Sequence, residues 1–335
     1  MENVDQSPAY IFQSFAAFQR TFALKAAIEI DLFTAVGAGA ATASEIARRC
    51  GASERGVRIL ADFLVVAGFL TKADGRYGLA PVAANFLDRR SPACIASAIG
   101  FVASSHILDG FAALPATVRS GRSAVGDRAH EPEHPMWVEF ARSMAPIAGM
   151  TAEALAILLD AKGGGYGKVL DVAAGHGLFG IALARHDPAA RITALDWPNV
   201  LAVAAENARA AGVADRFRTL PGSALEVDWG EDYDTILLTN FLHHFDVAGC
   251  EQILRRVHRA LAPGGRAVTV EFVPDESRVT PPDAASFALV MLAMTPAGDA
   301  YTFAEYERMF RNAGFAASEL HPLTPSPQQV IVSRR

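Results

Sequence analysis

From Lys168 onward, strand-like and helix-like segments alternate, and this alternation limits the possible folds more than any other feature of the chain. Strands are predicted at 168–173, 191–195, 216–220, 234–239 and 266–272, with helices at 178–186, 199–211 and 247–261. Strands that alternate with helices close into a parallel sheet covered by helices on both faces, a doubly wound α/β fold. A further helix is predicted at 303–313, and the segments 315–320 and 328–333 pair as a terminal antiparallel hairpin. At 335 residues and 51% hydrophobic content, the chain is long and apolar enough for a second, smaller core.

That second core belongs to the amino-terminal part. Phe12, Phe15, Phe18 and Phe22 recur at helical spacing, so 8–36 reads as a helix apolar over much of its surface and in need of a partner. Thr42-Ala-Ser-Glu45 is a capping box opening a short helix that stops at Gly51, and a second helix starts at Ser53. Two short strands then flank an Asp74-Gly75 turn, which completes a winged-helix unit. Residues 93–160 read as mainly helical around a polar loop near 120–135, up to Gly163-Gly164-Gly165. The expected organisation is a dimerisation domain over 1–92, linking helices over 93–162 that contribute to a substrate pocket, and a catalytic domain over 163–335.

Composition excludes several function classes. No uninterrupted apolar stretch approaches the ~20 residues of a membrane span, and the polar start lacks a signal-peptide layout, so a cytoplasmic protein without a membrane partner is expected. Cys50, Cys94 and Cys250 lack the spacing of a metal site or a disulfide framework, and no metal is expected. A net charge of −6 with both signs interspersed gives no footprint for nucleic acid. The expected partner is a small molecule.

Val169-Leu-Asp-Val-Ala-Ala-Gly-His-Gly-Leu-Phe-Gly180 reads as strand, tight loop and helix start, and Asp196 closes the next strand about twenty residues on. Gly175 and Gly177 let backbone approach a nucleoside, while Asp196 accepts ribose hydroxyls. The same GxGxxG spacing suits NAD, so spacing does not separate a dehydrogenase from a methyltransferase. Asp171 favours the second: a carboxylate there opposes a pyrophosphate but suits the cationic S-adenosylmethionine. Farther on, the strand ending at Asn240 runs into Phe241-Leu-His243-His244-Phe245-Asp246, and the carboxyl ends of parallel strands line the ligand crevice. His243 is placed there for proton transfer, with Glu271 ending the neighbouring strand.

The segments Leu170-Asp171-Val172-Ala173-Ala174-Gly175-His176-Gly177 and Leu195-Asp196-Trp197-Pro198 resemble those of plant caffeate-type and bacterial small-molecule O-methyltransferases, which carry DVGGGxG and DLP there. The winged helix, Tyr77-Gly-Leu-Ala-Pro81, Pro296 and Thr302 extend the resemblance over nearly the whole chain. It implies a class I methyltransferase fold, a homodimer, and S-adenosylmethionine bound through Asp171, Gly175, Gly177, Asp196, Trp197, Ser223, Ala224 and Asn240. It further implies His243 as the general base of the family's Cys-His-Asp-Trp motif, with His244 in the Asp position and Glu271 orienting the base. Trp137, Phe140 and Met144 on one helix and Phe287 and Met291 on another suggest the acceptor pocket; Phe140, Met144 and Met291 align with acceptor-lining positions, although helical spacing alone suits core packing as well. The sequence departs from the family pattern at Ala173 and Ala174, which replace glycines, at Gly222-Ser223-Ala224, and at Ala300, which replaces a second glutamate beside Asp299.

Two other readings compete with O-methylation. A family member using the same donor for N- or C-methylation or for a non-methylating step keeps most of these motifs. A winged-helix transcription regulator would read DNA through Arg48, Arg49, Arg55 and Arg58, but Glu45, Glu54 and Asp62 dilute that charge.

Overall fold

The structure, a computed structural model, describes residues 7–123, 133–161 and 165–335. The chain forms two compact units, one up to Ser104 and one from Ser105.

In the first unit the predicted 8–36 helix is three helices: α1 (Pro8–Phe15), α2 (Ala17–Glu29) and α3 (Leu32–Gly37). The breaks fall at Ala16 and at Asp31, whose φ of 58° leaves the helical region. α4 (Ala43–Cys50) opens on the expected capping box, Thr42 and Glu45 each bonding the other's backbone N–H, and stops at Gly51 with φ 61°. α5 (Glu54–Val66), β1 (Leu70–Ala73) and β2 (Arg76–Leu79) complete the winged helix, followed by α6 (Pro81–Phe86) and α7 (Ala98–Val102). Asp74 and Gly75 both take positive φ, as a two-residue hairpin turn requires. Leu32, Ile46, Ala61 and Leu64 form the core of this unit at zero exposure. Of the four arginines considered for DNA, Arg49 is turned onto the Ala35 and Ala38 carbonyls and Arg58 pairs with Asp62.

Phe12, Phe15, Phe18 and Phe22 stay 68, 71, 61 and 44% exposed within the chain. Withdrawing one phenylalanine side chain from water contributes about 1.5–3 kcal/mol, so covering this face would drive association. A second copy is the cover that the family resemblance implies, and light scattering at micromolar concentration should report a dimer. A monodisperse monomer would contradict this.

The second unit begins with α8 (Ser105–Ala112), α9 (Leu114–Ser120) and α10 (Pro135–Ala161). Most of the predicted polar loop, as well as Gly163 and Gly164, lies outside the described residues. α10 is long and apolar enough, by length and composition, to cross a membrane, although Glu139, Arg142, Glu153 and Asp160 interrupt its apolar run. Its Leu155, Ala156 and Leu159 are buried in a cluster with residues of the sheet and α11. The alternating part follows as predicted to within a few residues: β3 (Lys168–Val172), α11 (Leu178–His186), β4 (Arg191–Asp196), α12 (Pro198–Ala210), β5 (Phe217–Pro221), β6 (Tyr233–Thr239), α13 (Val247–Ala260) and β7 (Leu261–Glu271). β7 starts earlier than predicted because Leu261 already pairs with Tyr233 before a register shift. α14 (Pro282–Met294), α15 (Phe303–Asn312), β8 (Ala317–Pro322) and β9 (Gln329–Arg334) close the chain.

The seven strands lie in the order β5-β4-β3-β6-β7-β9-β8, with β9 antiparallel to β7 and to β8. Successive residues pack on opposite faces. Leu170, Val172, Ile236 and Leu238 meet α13 and α15, while Val169, Leu237 and Val268 meet α10 and α11. The chain leaves β3 toward β4 on one side and returns to β6 on the other, so the strand order reverses between β3 and β6. The crevice at their carboxyl ends is where such sheets bind ligands.

Candidate active site

The β3–α11 loop forms one wall of this crevice. Ala173, Gly175 and Gly177 take φ of 53, 58 and 73°, so Ala173 holds a left-handed conformation that the family's glycine adopts without strain. The glycines differ in purpose. A Cβ on Gly177 would lie 2.9 Å from Ala204 Cβ, and one on Gly180 would lie 2.7 Å from Ile192 Cγ2, so both serve close helix packing. A Cβ on Gly175 would meet nothing nearer than Ala173 O at 4.0 Å, which leaves its backbone open to a ligand.

Asp196 is tied to this loop: its Oδ2 accepts from Gly175 N at 2.8 Å and its Oδ1 from Trp197 N at 2.7 Å. Burial pushes its carboxyl up to about 6 against these two bonds. Gly222 N donates to Asp196 O at 3.0 Å, bringing the turn with Ser223 and Ala224 beside the same acid. The side chain of Trp197 packs with Val200, Val203, Ala141 and Trp137, joining the donor side of the crevice to α10.

Asp171 lies differently from what its charge alone suggests. It is wholly buried under the first turn of α11, where Oδ2 accepts from Gly180 N at 3.1 Å and Oδ1 has no hydrogen-bond partner among the described residues. Burial pushes its carboxyl up to about 8 against the bond from Gly180 N. That bond ties the end of β3 to the start of α11.

The second wall comes from β6 and β7. Asn240, at φ 56°, follows β6; its N–H donates to Val270 O at 2.9 Å and its side-chain oxygen accepts from Gln328 Nε2. The turn Leu242–His244 then carries His243, which is 4% exposed, above Glu271, which is fully buried. His243 Nδ1 lies 2.6 Å from Glu271 Oε2. Glu271 Oε1 accepts from Phe241 N at 3.1 Å, Leu242 N at 3.0 Å and His243 N at 3.4 Å. Burying a lone carboxylate costs several kcal/mol, and here four donors offset that cost. With Nδ1–H donated to the carboxylate, Nε2 is left as the ring's acceptor.

Three contacts absent from the sequence reading hold this turn. Cys250 Sγ donates to Leu242 O at 3.1 Å, and Tyr301 Oη donates to Phe245 O at 2.7 Å. A Cβ on Gly298 would sit 2.1 Å from His243 O, so only glycine lets the 295–300 loop lie against the histidine's carbonyl. Spacing carries no sign of these contacts; Gly298 stands next to the anticipated Pro296 and Asp299. Asp299 itself pairs with Arg278 at 3.2 Å, and Ala300 is buried.

Aromatic rings surround the histidines. Phe287 meets His243 edge-on at 4.7 Å and stacks on Phe272 at 4.3 Å, while Trp137 lies 5.6 Å from His244 and 6.0 Å from Phe140. Met144 and Met291 follow one turn beyond Phe140 and Phe287 on their helices, Met291 only 5% exposed. Phe272 joins the expected set of Trp137, Phe140, Met144, Phe287 and Met291 through its stacking on Phe287.

A doubly wound sheet with a glycine loop and an acid ending its second strand, opposite a histidine at the switch point, defines an enzyme class that binds a nucleoside-containing cofactor. Residues 117–316 match the O-methyltransferase domain family and residues 12–89 the O-methyltransferase dimerisation domain, and the chain belongs to this family. It is 32% identical over 301 residues to a 3-hydroxy-5-methyl-1-naphthoate 3-O-methyltransferase of Streptomyces sahachiroi, covering 88% of this chain and 86% of that one. The crystal structure of a candidate O-methyltransferase from Nostoc punctiforme PCC 73102 is 51% identical, with a TM-score of 0.94 over 98% of this chain and 99% of that one. Human N-acetylserotonin methyltransferase in complex with SAM shares the fold at 20% identity, with a TM-score of 0.85 over 100% and 99% of the two chains. The protein is thus an enzyme, an S-adenosylmethionine-dependent O-methyltransferase.

Proposed function

We propose that the acceptor is a small, flat aromatic molecule whose hydroxyl is methylated, with His243 as general base. The observation that carries this reading is the 2.6 Å contact between His243 Nδ1 and the buried Glu271, set among Phe287, Phe272, Trp137 and Phe140. When bound, S-adenosylmethionine supplies an electrophilic methyl group and departs as a neutral thioether, so no acid is needed for the leaving group. Asp196 holds the ribose, Gly175 gives the backbone access, and Trp197, Ser223, Ala224 and Asn240 complete that side. His243 Nε2 takes the hydroxyl proton as the oxygen gains the methyl, and Glu271 stabilises the imidazolium that results. The rings orient the acceptor by edge and face contacts, with Met144 and Met291 as adaptable filler. The Streptomyces relative acts on a hydroxynaphthoate, an acceptor of this shape.

The assembly is proposed to be a homodimer through the exposed phenylalanine face, in the cytoplasm, without nucleic acid or membrane as partner. Calorimetry tests the donor side: Asp196→Ala should weaken S-adenosylmethionine and its demethylated product by about tenfold or more, as two hydrogen bonds to a charged group are lost. Unchanged affinity would remove Asp196 from the site. Labelled methyl transfer to a panel of phenols tests the acceptor class.

A further inference from the structure

We infer that Arg256 and Trp229 are positioning residues of the donor site: from its outer side they hold the turn 222–227 in the shape that reads the nucleoside base. This rests on the reading of Ser223 and Ala224 as donor-side residues. The turn follows β5, whose Pro221 pairs with Asp196, and Gly222 N donates to Asp196 O at 3.0 Å. It therefore lies beside the acid proposed to hold the ribose, to which the base is attached. Ser223 and Ala224 bring little side chain to it. Ser223 Oγ already accepts from Leu225 N at 3.2 Å, so the turn offers the donor mainly its backbone.

That backbone is fixed from α13. The Arg256 guanidinium donates through Nη1 to Leu225 O and through Nη2 to Val227 O at 2.5 Å, and it lies 4.9 Å from the centre of the Trp229 ring. Hydrogen bonds from a charged fork are roughly twice as strong as neutral ones. Trp229 Nε1 donates to Ala224 O at 3.2 Å, and Trp229 O accepts from Tyr233 Oη at 2.8 Å, which ties the turn to β6. Ser223 O is taken inside the turn by Glu226 N and Val227 N, both at 3.0 Å. Four carbonyls, those of 223, 224, 225 and 227, are thus engaged, whereas the N–H groups of Ser223 and Ala224 have no hydrogen-bond partner among the described residues. In a trans peptide unit the N–H points opposite to the C=O, so pinning the Ser223 carbonyl aims the Ala224 N–H out of the turn. Open donors suit a base edge with an accepting ring nitrogen. Adenine N1 accepts, whereas N1 of hypoxanthine carries a proton.

The test titrates S-adenosylhomocysteine and S-inosylhomocysteine, which differ only in the base, into the full-length protein. The wild type should bind the adenine compound about tenfold more tightly, the value of one hydrogen bond. Arg256→Met keeps an apolar stem over Trp229 but removes both donors; it should weaken S-adenosylhomocysteine about tenfold and bring the two affinities together. Arg256→Lys, which can serve one carbonyl, should keep part of the difference, and Trp229→Phe should act as Arg256→Met does. Asp196→Ala should weaken both compounds alike, because the ribose is common to them. A purely structural role would lower the melting temperature of Arg256→Met and leave the affinity ratio at its wild-type value. An unchanged ratio in that variant, through equal losses or none, overturns the inference. A wild type that binds both compounds equally defeats instead the reading of Ser223 and Ala224 as facing the donor, and the inference with it.

Discussion

Glu271→Gln is expected to lower turnover by about 10⁴, as much as loss of the base itself, because it inverts the tautomer of His243. From sequence alone, Glu271 reads as an orienting charge whose replacement costs less than the base. The geometry argues otherwise. Oε1 accepts from three backbone N–H groups, so a glutamine amide must place its oxygen there. Its NH₂ group then faces His243 Nδ1 and donates to it, which moves the ring proton to Nε2. The nitrogen that should take the acceptor's proton is already protonated. The opposite amide orientation sets NH₂ against three donors and is the costlier one. Steady-state kinetics with labelled donor, alongside donor affinity by calorimetry, checks this: affinity should hold while kcat falls. A loss of only a few-fold would show that Glu271 does not set the tautomer.

His243→Ala should retain donor affinity, since the residues proposed to hold the ribose side, Asp196 and Gly175, lie on the other wall of the crevice, yet lose roughly 10²–10⁴ in turnover near neutral pH. The pH profile separates a base from a positioning group. A phenolic acceptor with an unperturbed pKa of about 10 supplies more phenolate as pH rises, so the variant should recover part of its rate toward that value. Wild-type turnover in His243→Ala, under conditions where methyl transfer limits the rate, would overturn the assignment.

Most features that rest on local pattern were determined by the sequence itself. The parallel sheet follows from strands that alternate with helices, and the strand faces from side chains that alternate every second residue, as at Val169, Leu170 and Val172. The Thr42–Glu45 capping box and the Asp74-Gly75 turn are local chemistry and were legible as such. The strand pattern placed His243 just beyond β6 and Glu271 at the end of the adjacent β7, and the family resemblance implied that the glutamate orients the histidine. The long amino-terminal helix was overextended, since the break at Asp31 interrupts a run whose apolar spacing continues across it.

What only the tertiary structure decided involves groups brought together from distant parts of the chain. Gly298 meets the His243 carbonyl, Gln328 meets Asn240, and Cys250 and Tyr301 hold the turn between them. Each contact depends on how loops from different strand ends meet, and no periodicity encodes that. Asp171 is the clearest case. Its place in the motif announced an acid near the ligand, but complete burial under α11 pushes its carboxyl up to about 8, and burial is a property of everything packed around a residue.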